Sequence, residues 1–389
     1  MLTSNIKFTN FQTNNKNKKL LKIFKNLKND FFKNKKDCLL SLSKKYKHSF
    51  ELKSLKKYNK YKFFRIVGMG GSILGTQAIY SFLKFKIKKI FFFTNNLNLE
   101  KKDDVVKNKQ IDIFVSKSGN TLETISNLHI LKKKRKSIFI TENKSSYLRT
   151  IANKMKSEIF DHPNYIGGRY SVLSETGMLP ASLMGLNINK FKRFDYLIQN
   201  KKFCNSLISN VSGLLTLYNN QKTNSIILNY DESSQDLFFW YQQLVAESLG
   251  KKNKGILPVI SLVPKDNHSL MQLYLDGKKN NFFTFFMVEE KKTKKFNKDI
   301  LISHKYLANK SIGEILKAQF YATQTVFNKR KIPFRSFLIK ERNEQTLGEL
   351  FTFFILETIM LGRALNINPF DQPEVELIKK ETNKILINL

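Results

Sequence analysis

The chain has 389 residues, 41% of them apolar and 34 of them Phe, which is enough for two domains with packed cores and too apolar for wholesale disorder. Its formal charge of +37, from 68 Lys+Arg against 31 Asp+Glu, would ordinarily point to nucleic acid or a membrane surface. The excess is mostly Lys, however, and it is spread over the whole length beside abundant Asn, Ile and Phe, so it is read as drift at solvated positions, with no specific nucleic-acid partner expected.

No apolar run approaches the roughly 20 residues that span a bilayer, and the N-terminus lacks the apolar core of a signal peptide. Cys38 and Cys204 stand far apart in apolar surroundings, as reduced core thiols do. These features lead to the expectation of a cytoplasmic protein without a membrane segment. Residues 1–58 alternate Lys/Asn clusters with apolar pairs at helical spacing, which predicts a helical N-terminal extension with an exposed linker at 14–19.

From residue 63 the rhythm changes to short apolar runs at 63–67, 90–94, 111–115 and 138–141, separated by helical patterns after 74, near 105, after 121 and after 145. Alternation of this kind predicts a parallel sheet covered by helices. The basic cluster 132–136 falls at a helix end, where cations favour the dipole. A second alternation follows, with strands at 225–228, 258–263, 282–288 and 334–339 and helices at 235–249, 268–275, 312–328 and 347–365. A Lys-rich helical pattern at 375–387 closes the chain. The predicted class is α/β, with two doubly wound domains at 59–190 and 191–365, joined through 165–205, and a helical C-terminal segment at 366–389.

Several stretches carry chemistry. The apolar run to Val115 delivers the backbone to Ser116-Lys-Ser-Gly-Asn-Thr121 at the start of a helix, where unpaired amides and the positive end of the dipole favour an anion; Ser116, Lys117, Ser118 and Thr121 add donors. A capped strand-to-helix loop would read the same way on this stretch alone. The glycine-dense turn from Gly68 to Gly75, with Gly71 and Ser72, is neither a dinucleotide fingerprint, since Ile73 takes the third glycine position, nor a P-loop. Both loops leave carboxyl ends of strands, where α/β sheets bind ligands.

Gly167-Gly-Arg169 can aim a guanidinium at an oxyanion, although a structural ion pair is an equal reading. Gln243 and Glu247 share a helix face, and Glu247 lies in the last turn, where the dipole disfavours the charged form, as suits a general base, although a solvent-exposed helix-end Glu reads the same way on this stretch alone. His268, Gln372 and Lys379 complete the candidates. The remaining histidines lack metal-ligand spacing, so neither a metal nor a cofactor is expected.

In their order along the chain, these stretches resemble the glucose-6-phosphate isomerase family. The segments are the glycine loop at 68–75, the phosphate loop at 116–124, Gly-Gly-Arg-Tyr-Ser at 167–171, Glu-Ser-Leu-Gly-Lys at 247–251, His-Ser-x-x-Gln at 268–272 and the C-terminal signature at 371–379. The resemblance implies two sugar-isomerase (SIS) domains, a phosphosugar substrate and a homodimer. It further implies Glu247 as the base moving a proton between C2 and C1, and Arg169 as the stabiliser of the enediolate. His268, supplied by the neighbouring subunit, and Lys379 would open the ring. Phosphate would be held by Ser72, Ser116, Lys117, Ser118 and Thr121, while Gln243 and Gln372 line the pocket. Asn120 stands where the family usually has threonine, and Glu374 and Ile378 replace two glycines of the signature, which bears on the placement of Lys379. A phosphosugar sensor or an isomerase for another phosphosugar stays open at this level.

Overall fold

The computed structural model describes residues 2–11, 17–33, 37–98, 110–131, 135–289, 294–296 and 302–389. Strand β1 (Ile6–Thr9) opens the chain; β2 (Phe63–Val67), β3 (Ile90–Thr94), β4 (Gln110–Val115), β5 (Ser137–Glu142) and β6 (Glu158–His162) follow. The second group is β7 (Asn224–Asn229), β8 (Leu257–Leu262), β9 (Asn281–Val288) and β10 (Phe334–Ile339). The first sheet has the order β3-β2-β4-β5-β6 with every pair parallel. The second has β8-β7-β9-β10-β1, parallel up to β10. In each group the first strand lies between the second and the third, so strand order reverses there and leaves a crevice at the carboxyl ends.

β4 and β5 are buried along their whole length, as strands covered on both faces must be, and this explains their apolar centres, Ile113-Phe-Val115 and Ile138-Phe-Ile140. The expected strands are all present. Two others were not expected. One is β6, and the other is β1, which pairs antiparallel with β10 and closes the edge of the second sheet. The first 58 residues are therefore not a wholly helical extension, because they lend a strand to a sheet built by the far end of the chain. Lys18 and Lys19, expected in a linker, begin the helix Lys18–Phe32, capped by the Asn17 side chain. Residues 14–16 of that linker, the helix near Val105 and residues 132–134 of the basic cluster lie outside the described residues.

A continuous core runs between the two sheets. At its centre is the helix Glu344–Ala364, buried at every residue except Gln345 and Arg363, as its all-round apolar surface requires. Within it, buried Glu357 pairs with Arg335 of β10 and accepts from Tyr241 at 3.0 Å, which ties the helix Gln235–Leu249 to the second sheet. That helix also packs along Leu74–Leu83, and so brings the two halves together. Among the described residues no helix is long and apolar enough to cross a membrane.

Candidate active site

The crevice where the first sheet reverses is formed by the loops after β2 and β4. They touch: a Cβ on Gly68 would lie 2.9 Å from the Val115 carbonyl oxygen. After β4, Gly119 turns the chain at φ +70°, and a Cβ there would fall 2.2 Å from Ser146 Oγ, so only glycine fits. Ser116 is buried; its Oγ accepts from the Gly119 amide at 3.1 Å and lies 2.8 Å from Thr121 Oγ1. Thr121 is the N-cap of the helix Leu122–Ile130 but makes no side-chain cap bond, so no cap hydroxyl competes for the first-turn amides.

Three other side chains of this loop are already engaged. The Lys117 ammonium donates to the Asn164 carbonyl at 2.8 Å and lies 3.5 Å from Glu142, so its charge is shared with a carboxylate before any ligand arrives. Burial pushes the Glu142 carboxyl up, but Lys144 and Lys117 outweigh it and hold the group below its ordinary range. Asn120 Oδ1 accepts from the Tyr147 amide at 2.9 Å, and so serves the next helix, while Ser118 Oγ accepts from the Asn120 amide at 3.2 Å.

The glycine loop after β2 lies against the arginine segment. A Cβ on Gly71 would come within 2.1 Å of the Gly168 carbonyl carbon, and Ser171 Oγ donates to the Gly71 carbonyl at 3.2 Å. At Gly70, φ is +50° and a Cβ would lie 2.7 Å from Gln243 Nε2. Half-buried Ser72 ends this turn. Glycine at both positions thus lets three backbones and one carboxamide meet at the mouth of the first sheet.

Arg169, 2% exposed, is the hub. Its Nη1 donates to Glu247 Oε1 at 2.9 Å and Gln372 Oε1 at 2.5 Å. Nη2 donates to the carbonyls of Pro369 at 2.7 Å and Asp371 at 3.0 Å, and Nε to Ser248 Oγ at 2.8 Å. All five guanidinium donors are thereby used. Gln243 Nε2 donates to Glu247 Oε2 at 2.9 Å, while Gln243 Oε1 is buried without a partner among the described residues.

The structure therefore brings together Gly71, Arg169, Gln243, Glu247 and Gln372, joins them through the glycine loop to the end of β4, and leaves two candidates out. His268 is exposed in the turn Lys265–His268 after β8. Lys379 lies on the helix Val375–Asn388, which contributes no buried residue, and its ammonium pairs with Glu376 at 2.6 Å. Among the described residues no hydrogen bond or ion pair joins either one to Glu247 or Arg169. Sequence reasoning missed Tyr170 and Lys251, which hold residues 369–372, and Ser248, whose hydroxyl braces Arg169 and Tyr170. The signal was the polar Ser and Lys flanking the Gly250 helix stop.

The corresponding crevice of the second sheet holds a cavity of about 890 Å³ whose lining includes Tyr230, Asp231, Glu289, Glu314 and Lys317. None of the candidate residues lines it. Asp231 is taken up by Arg342 at 2.8 Å, and Glu289 by Lys317 at 2.6 Å.

The family model for phosphoglucose isomerase matches residues 60–389. A glucose-6-phosphate isomerase of Methanocaldococcus jannaschii is 34% identical over 353 residues, which span 85% of this chain and 85% of the relative. Among solved structures, a hypothetical protein from Thermus thermophilus superposes with a TM-score of 0.82 at 24% identity, covering 94% of both chains. A glucose-6-phosphate isomerase from Chlamydia trachomatis superposes at 0.71 and 20% identity, covering 86% of this chain and 72% of that one. These two likenesses bear on the fold. On the match of its family model and the identity of its relative, the chain belongs to the phosphoglucose isomerase family.

Proposed function

We propose that the chain interconverts glucose 6-phosphate and fructose 6-phosphate, with Glu247 carrying the proton. The observation that carries the residue assignment is the Arg169–Glu247 pair at 2.9 Å, flanked by Gln243 and Gln372, beside a glycine loop that touches both the Gly168 backbone and the Val115 carbonyl at the end of β4. The Ser116 loop grips the phosphate through first-turn amides and hydroxyls, which leaves the other end of the sugar at the carboxylate. Glu247 takes the C2 proton, and the C–H electron pair becomes the C1–C2 double bond while the carbonyl electrons move onto O1. The proton then returns at C1, and the O2 proton passes to O1. Arg169 stabilises the enediolate; since its donors are all engaged, the oxygen enters by displacing Gln372 Oε1 at Nη1.

His268 and Lys379 open the ring in this reading. Their exposure in the single chain fits a homodimer in which the neighbouring subunit brings His268 to the site. A cytoplasmic enzyme using no cofactor completes the proposal. A coupled assay with fructose 6-phosphate tests it, and absence of turnover by the wild type would sink it. Given turnover, Glu247→Gln is expected to lower kcat by about 10²–10⁴-fold and to abolish C2 proton exchange, with KM nearly unchanged.

A further inference from the structure

Residues 369–372 run through the site without secondary structure of their own, yet each of the backbone carbonyls that matter there is held from two sides. The Pro369 oxygen accepts from Arg169 Nη2 at 2.7 Å and from the Tyr170 hydroxyl at 2.8 Å. The Asp371 oxygen accepts from Arg169 Nη2 at 3.0 Å and from Lys251 Nζ at 2.7 Å. Lys251 adds a second bond, 2.9 Å, to Asp371 Oδ1, and Asn368 Nδ2 holds the other carboxylate oxygen at 2.9 Å. The Asp371 carboxyl is accordingly held below its ordinary range, first by the Lys251 hydrogen bond.

Lys251 differs from most lysines of this Lys-rich chain. Its side chain is 9% exposed, and it directly follows Gly250, the stop of the helix that bears Glu247. The base and the ammonium are thus set by one rigid element. The stretch that the ammonium holds carries Gln372, whose Oε1 lies 2.5 Å from Arg169 Nη1.

We propose that Lys251 is a positioning residue for the isomerisation: by pinning the Asp371 carbonyl to the end of the Glu247 helix, it fixes Gln372 and the Arg169 guanidinium against the base. This rests on the reading of Glu247 and Arg169 given above. Lys251 contacts neither Glu247 nor the phosphate loop, so its effect passes through residues 369–372. Without the ammonium, the Asp371 oxygen keeps only Arg169, and the guanidinium is free to follow the loosened segment. Displacements of about 1 Å at a reacting centre are worth up to about 10²-fold in rate. The phosphate anchor lies on a different loop, so substrate binding is retained.

The test is steady-state kinetics with fructose 6-phosphate on the wild type, Lys251→Met, Gln372→Ala and the double variant, each checked by thermal melting. Met keeps the apolar stem and removes only the charge. The expected result is a kcat lower by about ten- to a hundredfold in Lys251→Met with KM within about threefold, and an effect of less than about threefold when Lys251→Met is added to Gln372→Ala. A kcat within twofold of wild type overturns the inference, as does a full, additive loss in the double variant, which marks a merely structural lysine. An inactive wild type would instead overturn the parent reading. If Lys251→Met does not fold, Tyr170→Phe, which removes the hydroxyl from the Pro369 carbonyl, is read in the same cycle by the same criteria.

Discussion

Gly119 concentrates much of what the phosphate loop needs. Its φ of +70° and the 2.2 Å approach of a Cβ to Ser146 Oγ mean that Gly119→Ala meets both backbone strain and a clash with the side chain that caps the next helix. The expected cost is about 1–3 kcal/mol of stability, measured by urea unfolding. The same change moves the Ser116 hydroxyl and the Thr121 cap, so KM should rise at least about tenfold while kcat changes less. An unchanged KM would show that this loop is not the anchor. Glycine here was legible as a turn residue, and the hydroxyls as donors, because both are local properties. That Lys117 is occupied by Glu142, and Asn120 by the Tyr147 amide, was not, since each depends on a partner from another element, the end of β5 and the start of the helix after it.

Among the elements, the strands of the parallel sheets announce themselves, because burial on both faces favours predominantly apolar runs such as Ile-Asp-Ile-Phe-Val in β4 and Phe-Phe-Arg-Ile-Val in β2, each broken by a single charged residue. β1 and β6 do not. Ile6-Lys-Phe-Thr is only four residues long, and its partner β10 lies at the other end of the sequence, so nothing local marks it as a strand. β6, Glu-Ile-Phe-Asp-His, is an edge strand with polar ends. The clamp on residues 369–372 was hidden for the same reason as β1: its donors are far from it in sequence.

β1 is nevertheless integral. Ile6 is fully buried opposite Ile339, and the Phe8 ring lies 4.6 Å from Phe337 and 5.5 Å from Phe353. Ile6→Ala should therefore cost about 2–4 kcal/mol in urea unfolding, as a buried aliphatic truncation does. A cost below about 0.5 kcal/mol would mean that the strand frays independently of the second sheet.

At the scale of the whole molecule, one core serves both sheets, so protonation of a group deep in one half bears on the stability of the entire chain. His162, at the end of β6, is 2% exposed, with Nδ1 2.9 Å from the Pro163 carbonyl and Nε2 3.3 Å from Ser174 Oγ. Burial lowers its pKa from 6.5 to about 4, against the opposing pull of Glu175; Lys117 lowers it further and Glu142 raises it slightly. The folded state thus keeps the imidazole neutral where the unfolded chain binds a proton. Its contribution is fully present above about pH 6.5 and is lost as pH falls towards about 4, amounting to about 3 kcal/mol across that window. His48, whose pKa is lowered chiefly by burial, adds to the loss in the same direction. A net charge of +37 adds self-repulsion that grows as carboxylates are neutralised, so the comparison belongs at fixed ionic strength. Urea unfolding of wild type and His162→Gln at pH 7, 5.5 and 4 separates the terms. The variant should start less stable but lose markedly less between pH 7 and 4, whereas parallel pH profiles would mean that the buried imidazole is already charged in the native fold.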